Sequence, residues 1–270
     1  MKCIVWISIC LALVTAGPVE DIWLRYNRRM LGEAKATEEL PARGRIIGGV
    51  ETSIENVPYQ LSLLRNNFFS CGASVISEQW ALSAAHCVYP APSPHTVTLG
   101  GGATNKLDSI IFEVAEIILH PQYDDWAFQY DASLLKTTQP MVGYNIAPIA
   151  LMPVNEDFPA GTRAVVSGWG VMDIVSGEVS ENLRMVSVPI IAQEECQQAW
   201  PYSVTDDMLC ASEPGRSHCG GDSGGPLVVG GRQIGIVSWG QYGCYGVLPS
   251  VFARVSHESI RSFISKLAGV

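Results

Sequence analysis

The chain has 270 residues, 47% of them hydrophobic, with a formal net charge of −9. That is ample for a sizeable core, arranged as one large all-β domain or as two small barrels. The charge argues against nucleic acid and anionic membrane as partners. It does so more strongly past Arg45, because the first 45 residues hold seven basic and only five acidic side chains.

Met1-Lys2 opens the chain, a mostly apolar run covers Ile4–Val14, and Val14-Thr15-Ala16 closes it. A basic start, a short apolar stretch and a small final residue predict a signal peptide at residues 1–16. The run is too short to cross a bilayer as a helix, and no later run is long enough, so a soluble, secreted protein is expected, with no membrane association. Residues 17–45 form a charged stretch poor in strand formers that ends in the turn-rich Leu40-Pro41-Ala42-Arg43-Gly44-Arg45.

From Ile46 onward short strands alternate with turns. The pattern predicts strands at Tyr59–Arg65, Ala73–Ser77, Trp80–Ser83, Thr96–Gly100, Ile110–His120 and Ala132–Thr137. A second set follows at Ala164–Gly168, Arg184–Ile191, Met208–Ala211, Pro226–Val229, Gln233–Trp239 and Ser250–Val255. Leu61 and Leu63, and Val186, Val188 and Ile190, show the period of two of half-buried strands. Six strands and six predict two antiparallel β-barrels, one near 46–150 and one near 156–255, joined around Pro148–Phe158. Two helices are expected, Ala192–Ala199 and one over about 256–268. In the second, Ile260, Phe263, Ile264 and Leu267 share a face suited to docking on the body.

Eight cysteines are present, and Cys3 and Cys10 fall in the signal peptide. The remaining six are Cys71, Cys87, Cys196, Cys210, Cys219 and Cys244, an even number that suggests three disulfides without saying which of 15 pairings occurs. Zinc is disfavoured because no pair has the close spacing of structural zinc sites. There is no Asn-x-Ser/Thr sequon, so N-glycosylation is not expected.

Chemistry concentrates in three segments. Cys219-Gly220-Gly221-Asp222-Ser223-Gly224-Gly225-Pro226 surrounds one serine with glycines, which bring backbone N–H groups close to a ligand. Ser83-Ala84-Ala85-His86-Cys87 supplies a histidine, and Tyr130-Asp131-Ala132-Ser133-Leu134-Leu135 an aspartate. A serine hydroxyl needs a base that titrates near neutrality, and histidine is that base.

With these motifs in the order His, Asp, Ser, the chain from Ile46 to its C-terminus resembles the chymotrypsin-like (trypsin/chymotrypsin) secreted serine proteases. The resemblance implies an all-β fold of two antiparallel six-stranded barrels with the active site between them and a C-terminal helix. It casts Ser223 as nucleophile, His86 as general base and acid, Asp131 as the orienting carboxylate, and the N–H groups of Gly221 and Ser223 as the oxyanion hole. It selects the pairings Cys71–Cys87, Cys196–Cys210 and Cys219–Cys244. Residues 17–45 become an activation propeptide and 46–270 the catalytic domain. Cutting Arg45–Ile46 would free an ammonium on Ile46 to pair with buried Asp222.

The resemblance also places the substrate pocket at Ser217, His218, Ser238, Trp239, Gly240 and Ser250. Trypsin-like members carry an aspartate six residues before the nucleophile, and here that position is Ser217. Without it a substrate Lys or Arg would be buried unpaired. Gly240 leaves the mouth open, and Trp200 also looks chymotrypsin-like, so aromatic or large apolar residues are expected before the scissile bond. Departures from the usual pattern are Ser250 for glycine, His218 for a small residue, and Gly220 for a larger one. Polar groups there favour Tyr over Phe or admit Gln, Glu or His. Glu acceptance would rise if His218 were protonated near pH 6.5.

Other charged residues fit no triad motif. His95 reads as exposed, His120 and His257 as structural or surface residues, and the loop of Asp124, Asp125, Trp126 and Phe128 as a solvated rim. The loop Gly100–Asp108 holds a single acid, too few for calcium, so no metal is expected, and no cofactor either. Expected partners are protein or peptide substrates, an activating trypsin-like protease and protein protease inhibitors, with the enzyme a monomer. Two other readings stand beside a digestive endopeptidase. One is an inactive homologue that binds rather than cuts. The other is a limited-proteolysis cascade or venom protease with collagenase-like or polar-residue specificity.

Overall fold

The computed structural model describes residues 48–173 and 176–270. The expected signal peptide, the propeptide, and Arg45 and Ile46 lie outside the described residues. A short strand β1 (Val50–Glu51) leads into six more: β2 (Gln60–Arg65), β3 (Phe68–Val75), β4 (Trp80–Ser83), β5 (Val97–Gly101), β6 (Ile110–Leu119) and β7 (Ser133–Thr137). Strands β2 to β7 close into a barrel in the order β2-β3-β4-β7-β6-β5. Strand β3 starts five residues before the expected Ala73. Asn66 and Asn67 both adopt positive φ (50° and 67°), a two-residue turn whose twist matches paired strands, and Arg65 pairs directly with Phe68. The outer half of β3 is largely exposed, so its residues lack the apolar alternation by which a strand is recognised.

The second half contributes β8 (Ala150–Leu151), β9 (Arg163–Gly168), β10 (Val171–Asp173), β11 (Glu178–Val179) and β12 (Arg184–Ile191). After the helix α1 (Gln193–Ala199) come β13 (Met208–Ala211), β14 (Pro226–Val229), β15 (Arg232–Trp239) and β16 (Ser250–Arg254). A second six-stranded barrel closes as β9-β12-β13-β16-β15-β14, with β14 returning to β9. The connecting segment is not plain linker, because β8 lies within it and pairs in parallel with β15. Strands β8, β10 and β11 are two or three residues long, too short for a period of two to register.

Helix α2 (Glu258–Ala268) ends the fold, capped by His257 at its start and by Gly269 at its end, where φ is 72°. Ile260, Phe263 and Ile264 are buried as expected, but Leu267 is 37% exposed. The helix ends one residue after Leu267, so its last turn runs past the body it docks on.

The barrels meet at a polar seam inside an apolar core. Gln60 and Ser74 of the first barrel, and Ser167 and Gln233 of the second, are all fully or almost fully buried. Ser167 Oγ donates to Gln60 Oε1 at 2.6 Å, and Ser74 Oγ donates to Gln233 Oε1 at 2.7 Å. The amide nitrogens are used too: Gln60 Nε2 donates to the carbonyl of Leu61 and Gln233 Nε2 to that of Gly235. Beside these pairs the backbones nearly touch, since a Cβ on Gly72 would stand 3.0 Å from Gly225 Cα.

Removing one partner of a buried pair strands the other. Ser167→Ala is expected to cost about 1–3 kcal/mol, and adding Gln60→Met should recover part of it. Urea unfolding of the wild type, both single variants and the double checks this; strictly additive losses would contradict it.

Candidate active site

Strands β4 and β7 are paired so that Ser83 lies opposite Ser133. His86 leaves one strand and Asp131 enters the other at the same end, so sheet register alone brings them together. Ser133 Oγ donates to the carbonyl of Ala84 and ties the two segments. Asp131 is fully buried and accepts three hydrogen bonds: from His86 N at 2.9 Å, from His86 Nδ1 at 2.7 Å, and from Ser238 Oγ at 2.5 Å. A carboxylate only accepts, so Nδ1 carries the hydrogen and Nε2 keeps its lone pair for chemistry. The hydroxyl of Ser238 thus serves Asp131. Phe128, expected on a solvated rim, is buried and packs edge-on against His86 with ring centres 5.6 Å apart. The neighbouring Trp126 is 72% exposed, so the rim ends one side chain earlier than expected.

The serine turn docks on this pair from the other barrel. Gly72 N–H donates to the carbonyl of Ser223 at 2.7 Å. Gly224 has φ +79°, and a Cβ there would lie 2.2 Å from Ser83 Oγ and 2.5 Å from the carbonyl oxygen of Gly72, so only glycine fits. Within the turn the N–H groups of Asp222, Gly224 and Gly225 are hydrogen-bonded, whereas those of Gly221 and Ser223 have no partner among the described residues. Two free donors two positions apart, around a half-buried serine, suit a developing oxyanion.

Three disulfides join Cys71 to Cys87, Cys196 to Cys210 and Cys219 to Cys244. The first anchors the residue after His86 to β3. The third ties the start of the serine turn to the loop before β16. Cys71, His86 and Cys87 bring ligand-type atoms together, but the two sulfurs are bonded to each other and offer no thiolate to a metal.

Beside the turn, Ser217 Oγ donates to the carbonyl of His218 and lies 2.8 Å from Ser250 Oγ. Trp200 Nε1 donates to the carbonyl of Pro249 at 2.8 Å, and its ring stands edge-on to Trp239 with centres 5.2 Å apart. Ser217, His218, Trp239 and Ser250 are all buried.

Residues 46–264 match the family model described as Trypsin. The chain is 40% identical over 207 residues to "Serine protease 1" of Rattus norvegicus, covering 74% of this chain and 80% of that protein. It is 39% identical over 243 residues to "Trypsin 5G1" of Aedes aegypti, covering 86% and 88%. With "Trypsin" of Simulium vittatum the figures are 40% over 226 residues, 80% and 90%.

The chain belongs to the trypsin family. It is a serine endopeptidase.

Two buried titratable groups, Asp222 and His218, lie in and beside the serine turn of this trypsin-family member. Asp222 is fully buried, and its carboxylate accepts from Gly170 N and Cys219 N, both at 2.9 Å. Gly168 and Gly170 leave room for it, since a Cβ on either would strike the carboxylate. Burial outweighs the two backbone donors and pushes its pKa up to about 6. Gly48 has φ +74°, and a Cβ there would lie 2.3 Å from the carbonyl oxygen of Gly215. The chain two residues after Ile46 is therefore seated directly beside the loop that leads to Ser217. His218 moves the other way: burial lowers its pKa to about 4. This corrects the expectation of a pocket that charges near pH 6.5 and then admits Glu. The remaining histidines behave as the sequence suggests. His95 is exposed, and His120 is buried, stacked on Tyr130 at 5.1 Å.

A raised carboxyl pKa favours the folded state while the group stays protonated. For Asp222 that contribution is complete below about pH 3.8 and is lost as pH rises through about 6. In the uncut chain, stability relative to Asp222→Asn should therefore fall by about 2 kcal/mol between pH 4.5 and 7.5. Urea midpoints of both proteins at the two pH values measure this, and parallel pH profiles would refute it.

Proposed function

We propose that this endopeptidase is made as a secreted zymogen and cuts peptide bonds through a Ser223–His86–Asp131 triad. Nε2 of His86 takes the proton of Ser223 as its oxygen attacks the scissile carbonyl, then gives it to the leaving amine. Asp131 holds the tautomer and stabilises the imidazolium. The N–H groups of Gly221 and Ser223 receive the oxyanion, a contribution of about 3–4 kcal/mol per donor in comparable enzymes. Water releases the acyl-enzyme by the same route in reverse. The observation that carries this reading is the Asp131–His86 Nδ1 hydrogen bond, beside a serine turn with two unpaired N–H groups.

Activation follows from Asp222. In the uncut chain Ile46 is an amide and brings no charge, so the buried carboxylate is costly. Cleavage after Arg45 supplies an ammonium, and the pair orders the serine turn. Leaving such a buried charge unpaired typically costs about 3–5 kcal/mol. Six disulfide-bonded cysteines fit an oxidising, extracellular setting, in which we place a digestive role. The pocket, with Ser217 where trypsin-like members carry a charge, favours uncharged substrate residues of chymotrypsin type, aromatic or large apolar, over Arg and Lys.

Two experiments test this. Precursor incubated alone should stay inert, whereas added trypsin should create activity, a fluorophosphonate-reactive Ser223 and an Ile46 N-terminus; Arg45→Gln should block all three. Rapid self-activation at Arg45, or a cleaved chain that fails to label, would overturn the reading. Second, Ser223→Ala and His86→Ala should each remove nearly all turnover while the double variant is little worse, because they act as one unit. Single-turnover rates decide it, and multiplicative losses would refute the triad.

A further inference from the structure

His218 reaches across the pocket. Its backbone belongs to the wall formed by residues 217–220, yet the Trp239 backbone of the opposite wall hydrogen-bonds its ring. The ring also stands edge-on to Phe252, with centres 5.3 Å apart. Its Cε1 and Nε2 lie 3.6 and 3.7 Å from the point where a Cβ of Gly240 would be. The room that Gly240 leaves on one wall is therefore taken by an imidazole from the other.

The spacing sets a limit on what can enter. A flat aromatic ring between two walls needs contact distances of about 3.5 Å on each face, roughly 7 Å in all. A Cβ lies about 1.5 Å from its Cα, so Gly240 Cα is within roughly 5 Å of the imidazole edge. We propose that His218 bars the deeper part of the slot, so that the enzyme takes a leucine- or methionine-sized side chain before the scissile bond ahead of an aromatic one. This inference rests on the assignment of Ser217–Gly220, Ser238–Gly240 and Ser250 as the substrate pocket.

The barrier also has a chemical edge. Nε2 is buried without a hydrogen-bond partner among the described residues, so the bond to Trp239 belongs to Nδ1. The neutral ring then carries its hydrogen on Nδ1 and presents a bare lone pair at Nε2. A carboxylate approaching that edge meets an acceptor and no cation, which excludes Glu.

The test uses trypsin-activated enzyme and peptide anilides that differ only in the residue before the cut: Leu, Met, Phe, Tyr, Glu or Arg. The wild type should favour Leu over Phe by at least about tenfold in kcat/KM. His218→Ala and His218→Ser should each raise kcat/KM for Phe and Tyr by about tenfold or more while Leu changes little. The Leu/Phe ratio within one preparation cancels the active fraction, so a partly misfolded variant still reports. A wild type that prefers Phe or Tyr, or a ratio unchanged in both variants, overturns the proposal. Failure of the underlying reading looks different: no labelling of Ser223, or best cleavage after Arg, would remove the pocket assignment itself.

Discussion

The groups of this active site come from two barrels, and a backbone-to-backbone approach sets the distance between them. Gly72 of β3 lies against Gly225, and Gly224 is wedged against Ser83, the carbonyl of Gly72 and Ala84. A single methyl at Gly224 would drive the serine turn away from the strand end that carries His86. The Gln60–Ser167 and Ser74–Gln233 pairs hold the same seam from inside with directional bonds, which an apolar interface cannot provide. Hydrophobic burial brings the barrels together, and the glycines and polar pairs fix where they stop.

Around that seam, each side chain of the site is positioned by a partner that does no chemistry. Asp131 is held by His86 and Ser238, one from each barrel. His86 is flanked by Phe128 and by the disulfide at Cys87. Trp200 braces both Trp239 and the carbonyl of Pro249. Such supports restrict rotation of Asp131 and His86, which keeps their hydrogen-bond geometry fixed.

Much of this was legible in the sequence. The regular strands of both barrels and the histidine, aspartate and serine segments announce themselves locally, through alternation and dense glycine. What was hidden depends on contacts between distant segments. Phe128 looked like a rim residue because it packs against a ring, His86, that lies 42 positions away in the chain. The early start of β3 was hidden because the Asn66-Asn67 turn speaks through backbone angles, not hydrophobicity. The sense of the His218 shift was hidden as well, because burial is a property of the assembled pocket and not of the residue.

The T-shaped contact between Trp200 and Trp239 has a spectroscopic consequence. Two indoles with centres 5.2 Å apart and planes inclined by 71° couple their excited states. Such a pair splits its absorption into two bands of opposite sign in circular dichroism. Because Trp239 ends β15 and Trp200 is pinned by Pro249, small tilts of either indole alter the coupling. The protein therefore carries its own optical gauge of the geometry between these two indoles, without any added label.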